Sequence, residues 1–183
     1  MFGTPWERMV PEYKTGNPDF GLFRGIEEGT FFTAYSAMGY AGINYIDACT
    51  GAEIQAYSKA LEGRRDKMYL GWSWYEREAR SPSQCNGDSI MNVFDDSLRV
   101  CKQEYVDLYR VVCGVDGRRG KDGKWVFPHT EAESAGIAEG LRRAKQSGKA
   151  RATGISSHDL PWLKYMMETF PDVIDVVITP YTA

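Results

Sequence analysis

Short apolar runs and amphipathic segments alternate along the chain from residue 43 onward. The apolar runs have the length of β-strands and cover residues 43–49, 67–74, 105–112, 149–155 and 173–179. Between them, apolar residues recur at spacings of three and four, which is typical of helices with one buried face. This alternation predicts a parallel sheet with right-handed crossovers, whose functional edge lies at the carboxyl ends of the strands.

Polar residues mark the ends of the predicted helices. Gly63 follows the segment 53–61, where a left-handed cap would lie, and Asp88 is predicted to cap the next helix. Thr130 with Glu133 forms a capping-box pattern, and Asp159 precedes the last helix. Residues 27–42 are also helix-like. The pattern therefore places a helix between each pair of successive strands.

Two architectures fit this order of elements, a doubly wound sheet and a (β/α) barrel. The chain has no G-x-G-x-x-G after a strand, which disfavours a doubly wound dinucleotide-binding sheet. We therefore predict a (β/α)8 TIM-barrel type within one domain, residues 1–183. Residues 1–26 would form an irregular N-terminal segment with one strand near residues 20–23, and residues 27–183 the barrel units. An eight-unit barrel needs about 250 residues, so the barrel is expected to be incomplete.

Composition narrows the classes of partner. The formal net charge is −3 and the isoelectric point about 5.5, so no global positive field is available to hold nucleic acid. No apolar stretch approaches the roughly 20 residues that span a bilayer, and the first ten residues do not resemble a secretory signal. A cytoplasmic location without membrane contact is expected. The four cysteines show no C-x-x-C spacing, which predicts buried thiols and no metal site.

Five segments together resemble the aldo-keto reductase family. They read INYIDA at 43–48, LEGRRDK at 61–67, SLR at 97–99, YVDLY at 105–109 and GKARATGISS at 148–157. The resemblance covers about residues 27–183, and residues 175–181 are similar to the sixth barrel strand of the family. Strands seven and eight, with most of the adenosine-phosphate clamp, are not in the sequence. The chain is expected to be either a fragment or a naturally short relative.

The resemblance implies NAD(P)H-dependent carbonyl or alcohol oxidoreduction, with an aspartate, a tyrosine, a lysine and a histidine at the site. The aspartate falls on Asp47. The tyrosine falls near residues 50–52, where none occurs, the lysine on Ser73 and the histidine on Val112. Because loss of a positioned acid alone lowers a rate by about 10²- to 10⁴-fold, activity is expected to be altered or lost. Asp47 is equally interpreted as an end-of-strand carboxylate with a structural role.

Other side chains near the same edge are candidates for the missing roles. Tyr75 would share the side of Ser73 if the strand continued, which makes it the best substitute acid. Trp72 and Trp74 form an aromatic cluster with it that either stacks on a substrate ring or fills the barrel mouth. His158 lies at the expected mouth of the fifth strand, with a surface position beside the Asp159 cap as the simpler interpretation.

The resemblance also locates the cofactor, NADP or NAD. Ser156 and Ser157 match the position where the family holds the nicotinamide carboxamide, usually with serine and asparagine. Ile178 stands where the family often has Gln or Glu, so cofactor binding is expected to be weak. Residues 114–130 form a predicted long loop with four basic residues that either covers the mouth and grips an anion or is simply solvated.

Three hypotheses follow. The chain retains oxidoreductase activity with a rearranged proton donor. Alternatively, it is a non-catalytic relative that binds a ligand, such as a small carbonyl or sugar-like compound, or a partner. In the third, it is a subunit or fragment whose open barrel edge pairs with a second chain or forms an oligomer, because parallel strands buried on both faces rarely leave an apolar edge in water.

Overall fold

Five parallel strands form one curled sheet, as in part of a (β/α) barrel. The computed structural model describes residues 44–113, 118–119, 125–126 and 128–180. In chain order the sheet strands are β1 (Tyr45–Ala48), β2 (Tyr69–Trp72), β3 (Val106–Val112), β6 (Ala150–Ser156) and β7 (Val176–Ile178). They lie side by side in that order, each pairing in parallel with the next. The predicted parallel barrel-type sheet is confirmed.

Within the described residues, four α-helices connect or follow these strands: α1 (Gly51–Ala60), α2 (Gly87–Cys101), α3 (Glu131–Gln146) and α4 (Leu160–Thr169). Short 3₁₀ turns cover Arg65–Lys67 and Pro82–Gln84. The predicted capping box at the start of α3 and the predicted Asp159 cap of α4 are confirmed. Gly63 is confirmed in the left-handed region, with φ of 72°.

The predicted cap of α2 is wrong by two positions. Asn86 caps the helix, because its side-chain oxygen accepts a hydrogen bond of 2.9 Å from the Ser89 backbone N–H. Asp88 lies in the first turn and pairs with Arg143 at 2.6 Å. Both residue types are good caps, so local preference alone did not separate them.

The sheet has an apolar face and a polar face. On the apolar face, the buried side chains belong to the hydrophobic core with the helices: Ile46, Ala48, Leu70, Trp72, Tyr109, Val111 and Ile155. Asp47 is paired in register with Gly71, and Val112 with Ser156. Because alternate residues point to opposite faces of a sheet, Asp47, Gly71, Arg110 and Ser156 share the other face. The register thus gathers polar side chains inside the curled sheet.

The predicted long loop contains a short antiparallel ribbon. Its strands are β4 (Arg118–Arg119) and β5 (Trp125–Val126), with Arg118 opposite Val126. The predicted helix at 27–42 and the predicted strand near 20–23 lie outside the described residues. Across the residues that are described, no helix is both long and apolar enough to cross a bilayer. A second chain at the sheet edge stays a prediction.

Candidate functional site at the carboxyl ends of the strands

Asp47 is held by a cation and a phenol from neighbouring positions. Arg110 donates from Nε to Asp47 Oδ1 at 3.0 Å, and its Nη2 donates to Oδ2 of the same carboxylate. The Tyr45 hydroxyl donates to Asp47 Oδ1 at 2.9 Å. The carboxylate therefore has a bidentate guanidinium partner, a geometry that gives the strongest type of protein ion pair.

Neither Arg110 nor Tyr45 was among the residues predicted to accompany Asp47 at this site. The positions matched to the family lysine and tyrosine carry neither group, but Arg110 supplies a cation from β3 and Tyr45 a phenol from β1. The arrangement differs from the resemblance in both chemical type and strand of origin.

Gly71 makes room for the Tyr45 hydroxyl that donates to Asp47. β1 and β3 are separated by β2, so their backbones lie about 10 Å apart and the Arg110 side chain must cross β2 to reach Asp47. The Tyr45 hydroxyl occupies the space over Gly71, where an added Cβ would lie 2.2 Å from the hydroxyl oxygen. A side chain at residue 71 would therefore displace the phenol.

The burial of Arg110 makes its pairing obligatory. Arg110 is only 4% exposed, whereas the Asp47 side chain is 29% exposed. Burial lowers the pKa of Arg110, but the hydrogen bonds and charge of Asp47 outweigh this and raise it, so the guanidinium stays protonated. An arginine within a buried and largely apolar strand is the sequence signal for a buried ion pair here, since buried charges need partners, but it does not identify Asp47 as the partner.

A cavity of about 370 Å³ opens beside Arg110 at the carboxyl ends of β3, β6 and β7. Arg110 Nη1 donates to Ser156 Oγ at 2.9 Å, which fixes the serine in the cavity wall. Two further polar wall residues are Ser157 and His158. The structure thus brings together three of the predicted site residues, the two serines and the histidine, with the unpredicted Arg110.

The wall fits the nicotinamide end of the expected cofactor. Ser156 and Ser157 present hydroxyl groups, which donate and accept hydrogen bonds as a carboxamide requires. Val112, Ile178 and Pro180 supply apolar surface for a ring in the same cavity. The Ser157 hydroxyl accepts from the Asp159 backbone N–H at 3.1 Å.

Ser73 takes part in a different network. It is buried, and its hydroxyl donates to Glu78 Oε2 at 2.6 Å, while the Tyr109 hydroxyl donates to Glu78 Oε1 at 2.9 Å. Burial raises the pKa of the Glu78 carboxyl, although these hydrogen bonds act in the opposite direction. Ser73 therefore donates a hydrogen bond to the buried Glu78 carboxyl and not to Asp47.

The three predicted aromatic residues do not line the cavity. Trp72 is fully buried in the core, on the helix-facing side of β2. Trp74 packs against Gly51 and beneath the Arg77 guanidinium at 4.6 Å. Tyr75 is 40% exposed, and its ring lies 4.7 Å from the Arg80 guanidinium. Because β2 ends at Trp72, the alternation of side chains between the two faces of the sheet does not continue to Tyr75.

Two titratable groups close to the Asp47–Arg110 pair are poorly suited to act as acids or nucleophiles at neutral pH. Burial raises the pKa of Tyr45, and the negative charge of Asp47 raises it further, because ionisation would place two anions together. Burial likewise raises the pKa of the Cys49 thiol in the cavity wall, with Arg110 opposing only in part. The other three cysteines are free and buried, as predicted, and the described residues form no metal-ligand cluster.

Solved structures with the same fold are aldo-keto reductases. One from Klebsiella pneumoniae, in complex with NADPH, matches with a TM-score of 0.63 and 18% identity, over 84% of this chain and 49% of that one. The holo form of one from Bacillus halodurans matches with a TM-score of 0.62 and 24% identity, over 86% and 48%. One from Brucella melitensis gives 0.59 and 19%, over 85% and 55%.

The chain spans about half the length of these structures. No protein-family model matches the sequence. No curated protein matches it either. At such identities the likeness shows the fold: this chain has the fold of the aldo-keto reductase barrel over the part that it spans.

Proposed function

We propose that this chain forms the nicotinamide-binding and carbonyl-binding wall of an aldo-keto-reductase-type oxidoreductase site whose proton-donating step is altered or lost. The observation that carries the proposal is the cavity at the carboxyl ends of the strands, where Arg110, Ser156 and Ser157 converge. Active sites of barrel enzymes lie at this end of the strands. The NADPH complex of the Klebsiella pneumoniae reductase supports the choice of cofactor.

The polar residues of the wall have distinct roles in this proposal. Ser156 and Ser157 bind the carboxamide, and a bound nicotinamide nucleotide supplies the hydride. Arg110 lies in the cavity wall with its charge fixed by Asp47, so it stabilises negative charge that develops on a carbonyl oxygen. A guanidinium already oriented by two partners needs little rearrangement to do so.

Proton delivery is the weak part of this site. A phenol that donates to Asp47 and has a raised pKa is a poor acid, and Tyr75 does not line the cavity. His158 is exposed and lines the cavity, so among the described wall residues it is the candidate to relay a proton from water. We expect turnover about 10²- to 10⁴-fold below that of a site with a positioned acid.

Fluorescence titration of the 183-residue chain with NADPH tests the binding part. We expect saturable binding that Ser157→Ala weakens about fivefold, corresponding to one lost hydrogen bond of about 1 kcal/mol. The matched control is Ser83→Ala, since Ser83 is exposed and outside the cavity wall. Absence of saturable binding, or equal weakening by both variants, would contradict the proposal.

A second candidate function is ligand binding without redox chemistry. It is favoured by the ion pair itself, because Asp47 already accepts from both Arg110 and Tyr45 and has no role as a proton relay. In this case a small carbonyl or sugar-like compound binds the chain without NADPH. Titration with such compounds in the absence of nucleotide separates the two functions, since the first predicts that nucleotide binding comes first.

A further inference from the structure

A second cavity, of about 310 Å³, lies at the opposite ends of the strands. Its wall contains the side chains of Arg65, Lys67, Tyr105, Asp107 and Arg151. None of these residues takes part in the site described above. The cavity therefore needs its own explanation.

Asp107 holds two arginines in fixed positions around this cavity. Arg65 Nη2 donates to Asp107 Oδ2 at 2.6 Å, and Arg151 Nη1 donates to Oδ1 at 2.7 Å. Both guanidinium groups also lie against the Tyr105 ring, at 4.5 Å and 4.2 Å from its centroid. Groups held by an ion pair and an aromatic face lose less freedom when a ligand binds, so the cations are preorganised.

The charges in the described wall do not cancel. Asp107 is one carboxylate shared by two guanidinium groups, and Asp66 pairs with Lys67 at 2.7 Å. Three cations thus face two carboxylates. The Arg151 side chain is 59% exposed, and one of its five N–H groups donates to Asp107. The Nε atom of Arg65 is buried and has no hydrogen-bond acceptor among the described residues.

We propose that this cavity binds a small oxyanion of the phosphate type, either free phosphate or the phosphate group of a small metabolite. Guanidinium forks match the spacing of phosphate oxygens, and an ammonium adds a compact positive charge beside them. A phosphate accepts several hydrogen bonds at once, whereas a carboxylate offers only two oxygens. Two guanidinium groups fixed on one carboxylate, with an ammonium in the same wall, therefore favour the phosphate class.

Heteronuclear NMR titration of the chain with inorganic phosphate, at constant ionic strength, tests this site. We expect saturable shifts of the backbone amides of residues 65–69 and 105–107. Arg151→Ala removes one charge-assisted hydrogen bond to the ligand, so the affinity should fall about tenfold. Lys67→Gln provides a second variant if the first loses its fold.

The matched control is Lys149→Ala, which also removes one positive charge and lies two residues before Arg151 in the sequence. Lys149 pairs with Asp95 and does not line the cavity, so we expect less than about a twofold effect on phosphate affinity. Glycerol phosphate as a second probe should shift the same amides if a phosphate monoester is the physiological form. Linear, non-saturating shifts, equal binding of acetate, or equal losses in Arg151→Ala and Lys149→Ala would overturn the proposal.

Discussion

The two ends of the strands each carry an arginine–aspartate cluster, and the two clusters differ in how the charges are shared. At the carboxyl ends, one buried guanidinium makes two hydrogen bonds to one carboxylate, Asp47. At the amino ends, the single carboxylate of Asp107 is divided between Arg65 and Arg151. The first cluster is neutral and mutually dependent, whereas the second has an excess of positive charge.

This difference determines how each cluster responds to the loss of one charged side chain. The Asp47–Arg110 pair spans β1 to β3, so removal of either residue breaks the ion pair and leaves the other charge without this partner. Asp107 also accepts from the Leu70 backbone N–H at 2.9 Å, which ties β3 to β2, and it keeps one arginine if the other is lost. The amino-end cluster therefore keeps the Arg65–Asp107 ion pair when Arg151 is lost. In the carboxyl-end cluster, loss of Arg110 breaks the ion pair with Asp47.

The largest expected effect is that of Arg110→Met. The substitution leaves the half-buried Asp47 charge without its cation, and breaking a buried pair in this way costs about 3 kcal/mol in the free energy of unfolding. Urea denaturation of both proteins measures the difference.

The double variant with Asp47→Leu is the control for this prediction. Replacing both charges by apolar groups is often close to neutral, so most of the lost stability should return. If Arg110→Met costs less than about 0.5 kcal/mol, the pair is not a mutually dependent unit and the comparison fails.

The next largest effect is expected for Gly71→Ala, which tests whether the Tyr45 side chain lies over Gly71 of β2. The new methyl group would lie within 3 Å of the Tyr45 hydroxyl and ring, so we expect a loss of about 2 kcal/mol from overpacking. A double-mutant cycle with Tyr45→Ala measures the coupling. Additive losses in the cycle would show that Tyr45 does not lie over Gly71.

The pH dependence of stability distinguishes Glu78 from the charged pairs. Burial raises the pKa of this carboxyl above its ordinary value of 4.5, so the folded chain binds its proton more tightly than the unfolded chain. Its contribution to stability is complete below that value and is lost as the pH rises through the folded pKa. Stability of Glu78→Gln, measured by denaturation across this range, should fall less with rising pH than that of the parent chain.

His129 acts in the opposite direction and serves as the internal comparison. Burial lowers its pKa below the ordinary 6.5, so its contribution is lost as the pH falls through 6.5 towards the lowered value. Because both proteins keep His129, the difference between their pH profiles isolates Glu78. Identical profiles would mean that folding does not raise the pKa of Glu78.

The smallest expected effect is that of Arg151→Ala on stability. Asp107 keeps Arg65, and Arg151 is largely exposed, so the free energy of unfolding should fall by about 0.5 kcal/mol. A loss as large as that of Arg110→Met, measured under the same conditions, would remove the distinction between the two ends of the strands.

Local signals in the sequence predicted the strands, the α3 capping box and the Asp159 cap, because these depend on residues a few positions apart. The Arg110–Asp47 pair could not be read in the same way, since it joins two strands with a third between them and depends on the register. Ser156 and Ser157 were assigned from the family resemblance and His158 from its place at the end of the fifth predicted strand, and the three residues line one cavity. Trp72 was expected at the mouth, but alternation along β2 turns it into the core.

Consumption of NADPH by the 183-residue chain in the presence of a simple aldehyde is the decisive measurement. We expect the described part of the mouth to bind and polarise a carbonyl group without a positioned acid. The rate should then stay at or below about 0.1 s⁻¹, at least a hundredfold below the typical enzyme value of about 10 s⁻¹. Turnover at about 10 s⁻¹ that Arg110→Met leaves unchanged would contradict it.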